Sequence, residues 1–124
     1  MAQLATNIVD RVPAAPAAAI DRSQLARMTL GDRSLEREVL QLFDRQATLL
    51  LARMRNGQPA AVATLAHTLK GSAASIGAIG VMLAAAAVEQ TGGGAERDLA
   101  IGRLTKATDE ACAEIARLLG APQG

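Results

Sequence analysis

Apolar residues recur at spacings of three, four and seven along two long segments of this chain. In an α-helix these spacings return side chains to one face. The first segment covers residues 34–54, and its apolar positions are Leu35, Val39, Leu42, Phe43, Leu49, Leu50 and Met54. The second covers residues 96–119, and the residues in register are Ile101, Leu104, Thr108, Ala111, Ile115 and Leu118. Each helix needs other helices to cover its apolar face, so the pattern predicts a helical bundle.

Turn and cap residues divide the chain into five helical segments. Asp21, followed three residues later by Gln24, resembles a capping box at the start of a short helix. Gly57 with Pro59 marks a turn, Gly77 marks a break, and three glycines at 92–94 mark a flexible turn. The segments expected to be helical are 23–30, 34–54, 60–76, 78–90 and 96–119.

Short connections between consecutive helices favour antiparallel neighbours. The composition agrees with helices, since Ala and Leu are strong helix formers and the chain has one Phe, no Trp and no Tyr. We therefore predict an all-α, antiparallel up-down-up-down four-helix bundle with a short additional N-terminal helix. The bundle should occupy residues 20–120, after a flexible N-terminal tail at 1–19.

Charge and cysteine content exclude several classes of protein. With 13 basic and 12 acidic residues the net charge is +1, and aromatic side chains on which bases could stack are scarce, so we expect no nucleic-acid partner. The single cysteine, Cys112, cannot form an internal disulfide, which favours a reducing cytoplasm and a structural thiol. No apolar run approaches the ~20 residues that span a bilayer, so we expect no membrane anchor.

His67 is the one histidine of the chain, and its helix is expected to present it outward. At about 100° per residue, the apolar positions of residues 62–76 cluster in one direction and His67 lies roughly 150° away from it. Lys70 follows three residues later, on the nearest flank, and Gly71 follows four residues later on the same side. An interior glycine costs about 1 kcal/mol relative to Ala, so Gly71 needs an explanation.

Two hypotheses account for these residues. In the first, His67 is a surface histidine without function, Lys70 is a solvated neighbour and Gly71 permits close helix packing. In the second, the imidazole is a nucleophile toward a phosphoryl group. Lys70 then stabilises the phosphoryl oxygens, and Gly71 leaves space for an approaching protein. The residues alone leave both hypotheses open.

Residues 66–73, AHTLKGSA, with Gly77 and Ala78 following, resemble the signature of histidine-containing phosphotransfer (HPt) domains. The resemblance extends over about residues 20–119. It implies a helical bundle whose exposed histidine accepts a phosphoryl group from a receiver-domain aspartate and passes it to another receiver. His67 would be the phosphorylated residue, through the ring nitrogen farther from its backbone. Lys70 would contact the phosphoryl group and Gly71 would leave room for it.

The same resemblance implies partners and cofactors. The partners would be receiver domains of response regulators and of a hybrid histidine kinase, docked on an apolar surface around His67. The residues expected to form this surface are Leu40, Phe43, Thr64, Thr68 and Ala74. The chain would be a monomeric carrier without ATP-dependent kinase activity, cofactor or metal, because the Mg²⁺ used in transfer belongs to the receiver. Glu89 and Gln90 are candidates to orient the ring, with no basis for a choice.

Two further functions compete with the carrier. A docking module would bind a receiver domain or a histidine kinase without ever carrying phosphate. The second competing function is the phosphoacceptor domain of a histidine kinase. That domain usually has an acid directly after the histidine, whereas this chain has Thr68, so the sequence does not favour this function.

Overall fold

The computed structural model describes residues 19–120 and contains five α-helices and one short 3₁₀ helix within them. The elements, in chain order, are α1 (Arg22–Thr29), α2 (Arg33–Asn56), the 3₁₀ helix (Pro59–Ala61), α3 (Val62–Ile76), α4 (Ile79–Glu89) and α5 (Gly94–Gly120). The all-α prediction is confirmed, and each predicted helix is present with ends shifted by a few residues. Apart from Ala19, the predicted N-terminal tail lies outside the described residues, as do residues 121–124.

The four longer helices pack as a bundle. α3 lies against α2 and α4, α5 lies against α2 and α4, and α1 covers α2 and α3. Side-chain hydrogen bonds show that α2 and α5 are antiparallel. Arg37, near the start of α2, donates to the backbone oxygen of Leu119 near the end of α5, whereas Arg55, near the end of α2, donates to the hydroxyl of Thr105 in the first half of α5. No helix in this part of the chain is both long enough and apolar enough to cross a membrane.

The turn between α3 and α4 anchors the start of α1. Gly77 has a φ of +80°, a left-handed conformation that ends α3 and favours glycine. The backbone oxygen of Gly77 accepts a hydrogen bond from the backbone nitrogen of Asp21 at 2.8 Å. A Cβ at Gly77 would lie 2.5 Å from the backbone oxygen of Asp21, so no larger residue fits. The predicted break at Gly77 is thus also the place where α1 docks.

The start of α1 differs from the predicted capping box. Asp21 is the N-cap, and its carboxylate accepts from the backbone nitrogens of Ser23 and Gln24. The side chain of Gln24 does not complete a box, because its amide donates instead to the backbone oxygen of Ser75 on α3. That bond ties α1 to the bundle.

The apolar residues of α2 form two stripes, whereas the helical spacing predicts a single buried face. Six residues face the core: Leu40, Phe43, Ala47, Leu50, Leu51 and Met54. Leu35, Leu42 and Leu49 were expected in the buried face but are 40%, 56% and 50% exposed. At about 100° per residue they lie roughly 130° around α2 from the centre of the core face. The predicted core face of α5 is confirmed, with Leu118 only partly buried.

Candidate functional site

His67 lies on the outer face of α3. Its side chain is 69% exposed. The opposite face of the helix is in the core, where Ala66, Leu69 and Ala73 are fully buried. The outward direction expected from the periodicity is therefore found in the structure, and one edge of the imidazole is open to an approaching molecule.

Glu89, the last residue of α4, holds the ring of His67. Its Oε2 lies 2.9 Å from Nδ1 of His67, and its Oε1 lies 2.7 Å from Nζ of Lys70. A carboxylate can only accept hydrogen bonds, so Nδ1 carries the proton in this arrangement. In a neutral ring this leaves Nε2 with its lone pair free.

The charge of Glu89 is stabilised by the two side chains that contact it. Hydrogen bonds from Lys70 and, to a smaller extent, from His67 lower the pKa of Glu89 below its usual 4.5, although partial burial opposes this shift. The C-terminus of a helix disfavours a carboxylate, because backbone carbonyls point toward it. Lys70 and His67 offset this effect, so Glu89 is ionised at neutral pH.

The structure also distinguishes between Glu89 and Gln90, the two candidates to orient the ring of His67. Val88 is buried in the core, and the next position along the helix turns Glu89 toward α3. Gln90 is exposed and lies beyond the end of α4 as its C-cap. The sequence signal that could have indicated Glu89 is that it is the one ionisable residue of α4.

Within residues 19–120, Gly71 does not serve close packing between helices. A Cβ built on Gly71 meets no atom within 4 Å among the described residues, and the position is exposed. Close helix packing, the alternative explanation for this glycine, is therefore not supported. The open surface lies one helical turn from His67, on the same side of α3.

The residues expected to form a docking surface fall into two groups. Thr64 and Thr68 are exposed on α3, where the hydroxyl of Thr68 donates to the backbone oxygen of Thr64, and Ala74 is partly exposed. Leu40 and Phe43 are only 2% exposed, so the prediction that they contact a partner was wrong. They face the core because they lie on the stripe of α2 that the other helices cover.

Exposed apolar side chains lie close to the positions where Leu40 and Phe43 had been expected. Leu42 and Leu49 are on the outer flank of α2, and Met28 of α1 lies in the same groove as Leu42. Gln46, between the two leucines, accepts a hydrogen bond from Ser72 of α3 at 3.0 Å. This bond ties α2 to the side of α3 that lies roughly 140° around the helix from His67.

Cys112 is partly buried on α5. Burial is the larger cause and a hydrogen bond to the carboxylate of Asp44 the smaller one that together raise the pKa of the thiol to about 12. The thiolate is the reactive form of cysteine, so this side chain is unreactive at neutral pH. This agrees with the structural role expected for it.

The family model of the Hpt domain matches residues 33–121, which include the four helices α2 to α5 and every residue of the site described above except Met28. The chain belongs to the Hpt domain family. Hpt domains act in histidine phosphotransfer within two-component phosphorelays, and they are carriers rather than kinases. They interact with receiver domains and histidine kinases. Neither the search of curated proteins nor the search of solved structures found a match.

Proposed function

We propose that this Hpt domain is a phosphoryl carrier of a multistep phosphorelay, and that His67 accepts the phosphoryl group from a receiver-domain aspartate. The same residue then passes the group to a second receiver. The observation that carries the proposal is the hydrogen bond between Nδ1 of His67 and Glu89, because it leaves Nε2 as the exposed nucleophile.

Phosphoryl transfer from the receiver aspartate to His67 needs no further reactant. The lone pair of Nε2 forms a bond to phosphorus while the bond from phosphorus to the aspartyl oxygen breaks, and its electron pair stays on the carboxylate of the receiver. The ring keeps its proton on Nδ1 and becomes cationic. The ionised carboxylate of Glu89 stabilises this charge at hydrogen-bond distance. Transfer to the next receiver is the reverse step.

Lys70 and Gly71 serve the phosphoryl group in this proposal. The ammonium of Lys70 is on the flank of His67 and is partly exposed, so it can turn toward the equatorial oxygens when they arrive. Gly71 leaves the adjoining surface open for the edge of the receiver site. The chain itself needs no cofactor, because the Mg²⁺ that assists transfer is held by the receiver.

The receiver docks on the surface that runs from His67 across Thr64 and Thr68 to Leu42 and Leu49. The helical geometry of α3 supports this surface, since Thr64 and Thr68 lie between His67 and Ser72 around the helix, and Ser72 bonds Gln46 of α2 at the part-buried seam between the two helices. The two leucines supply apolar area of the kind that protein interfaces bury at their centre. They replace the buried Leu40 and Phe43 as candidate contacts.

The remaining parts of the proposal concern where the chain acts and which proteins exchange the phosphoryl group with it. The chain acts in the cytoplasm as a monomer and has no ATP-dependent kinase activity of its own. Its donor is the receiver domain of a hybrid histidine kinase, and its acceptor is the receiver domain of a response regulator.

The test is transfer from a phosphorylated receiver, followed by intact mass measurement of this protein. We expect an acid-labile, base-stable phosphoryl adduct on the wild type and none on His67→Gln. Because the chain has a single histidine, loss of the adduct assigns the site without mapping. A variant that is labelled like the wild type contradicts the proposal. Binding of receivers without any label, unaffected by His67→Gln, would instead indicate the docking module.

A further inference from the structure

Arg97 of α5 joins the 3₁₀ turn that precedes the helix of His67 to the segment that follows the helix of Glu89. Its Nε donates to the hydroxyl of Thr91 at 3.0 Å, and its Nη2 donates to the backbone oxygen of Thr91 at 2.8 Å. Its Nη1 donates to the backbone oxygen of Pro59 at 3.2 Å. One planar guanidinium thus holds the segment after α4 and the 3₁₀ turn before α3.

Each of these acceptors is hydrogen-bonded to the end of a helix that contributes to the site. The hydroxyl of Thr91 in turn donates to the backbone oxygen of Val88 at 2.7 Å, so the bond from Arg97 is relayed into the last turn of α4. The backbone oxygen of Pro59 accepts the hydrogen bond that leads from the 3₁₀ turn into Val62, the first residue of α3. His67 follows within two turns of that point.

The last turn of α4 needs such support. Helix ends leave backbone carbonyls without intrahelical partners and open more readily than helix centres. Glu89 is the final residue of α4, and three glycines follow it at 92–94, two of them with positive φ. Glycine has the greatest backbone freedom of any residue. Arg97 reaches back across this turn and closes it.

We propose that Arg97 is a positioning residue that keeps Glu89 in place and thereby keeps the proton of His67 on Nδ1. It acts through Thr91 and the last turn of α4, and contacts neither the ring nor the phosphoryl group. This inference rests on the proposed role of His67, since it explains how the nucleophilic tautomer is maintained.

The tautomer of His67 is measured in the unphosphorylated protein, by the ¹⁵N chemical shifts of Nδ1 and Nε2. In Arg97→Gln we expect the signals to move toward the Nε2–H form, and the transfer rate to fall by about threefold, as for neighbours in one hydrogen-bond network, and by no more than in Glu89→Ala. Thr91→Val, which keeps the side-chain shape and removes the relay hydroxyl, should shift the ring in the same direction.

The matched control is Arg55→Gln. Arg55 also donates to a threonine hydroxyl, but that bond joins α2 to α5 through Thr105. We expect its ring signals and transfer rate to equal those of the wild type. In a Glu89→Ala background the effect of Arg97→Gln on the ring should disappear, because the residue through which it acts is gone.

Unchanged ring signals in both Arg97→Gln and Thr91→Val would overturn the inference, and so would an equal effect of Arg97→Gln with and without Glu89. Since the ring signals require no partner, failure of phosphotransfer in the wild type would count against the proposed function alone.

Discussion

The carboxylate of Glu89 accepts a hydrogen bond from Nδ1 of His67 at 2.9 Å, although 22 positions separate the two residues in the sequence. The same carboxylate pairs with Lys70 at 2.7 Å. One acid from α4 therefore organises both polar residues of the site on α3. Removal of the Glu89 carboxylate should therefore affect both the imidazole of His67 and the ammonium of Lys70.

Glu89→Ala should slow phosphoryl transfer without unfolding the bundle. The ring loses the acceptor that keeps its proton on Nδ1, so a smaller fraction of molecules presents Nε2 as a lone pair. We expect a loss of about tenfold or less, since the bond is charge-assisted but the ring is exposed. Rapid-quench transfer from a charged receiver measures the rate. A rate equal to that of the wild type would show that Glu89 does not set the tautomer.

The pKa of Glu89 should depend on Lys70, whose hydrogen bond is the largest cause of its lowered value. In Lys70→Met the pKa of Glu89 should rise toward 4.5. A carboxyl pKa that is lower in the folded than in the unfolded chain stabilises the fold above the unfolded value, and this contribution is lost as the pH falls through the folded pKa. The stability of the wild type should therefore fall more steeply than that of Lys70→Met as the pH drops below about 4.5.

Two measurements check this dependence. The side-chain carboxyl ¹³C shift of Glu89 reports its pKa directly, and urea unfolding at several acidic pH values reports the stability. Identical Glu89 titration curves in the wild type and Lys70→Met would contradict the assigned cause.

Local sequence was sufficient for the part of the site that lies on one helix. His67, Lys70 and Gly71 fall within five consecutive positions, so the helical period alone placed them on neighbouring sides of α3. Glu89 could not be selected in this way, because its contact with His67 depends on how α3 and α4 align. That alignment follows from the packing of Ala and Val side chains, which have little to distinguish one register from another.

The helices themselves were predictable from periodicity and turn residues, but the orientation of α2 was not. This helix carries leucines at many positions, and several sets of them satisfy helical spacing. Which set is buried depends on where α3 and α5 lie, so Leu42 was assigned to the core and Leu40 to the surface when the structure has the reverse. α5 has one apolar stripe, and its core face was predicted with few errors.

Leu42 should contribute to receiver binding, whereas Leu40 should contribute to folding. Leu42→Glu places a charge on the proposed docking surface and should raise the Kd for a receiver, with little change in stability. Leu99→Glu on α5 is the matched control, because Leu99 is 58% exposed and outside that surface. Leu40→Ala should destabilise the bundle by roughly 2–5 kcal/mol. Calorimetric titration and urea unfolding measure the two effects. Equal binding by the wild type and Leu42→Glu would exclude this surface.

Gly71→Ala should make the fold more stable and the carrier slower. A Cβ at Gly71 meets no atom within 4 Å in the described part of the chain, so the helix should gain about 1 kcal/mol from replacing an interior glycine by Ala. The added methyl group lies one turn from His67, where the proposed phosphoryl group and the edge of the receiver must fit.

Gly102→Ala is the control that separates these two effects. Gly102 is an exposed, interior position of α5, and a Cβ there also meets no atom within 4 Å among residues 19–120. Both variants should therefore gain similar free energies of unfolding in urea. Only Gly71→Ala should transfer phosphate more slowly. If both variants transfer at the rate of the wild type, Gly71 does not serve access to His67, and the open surface beside the ring has no part in the reaction.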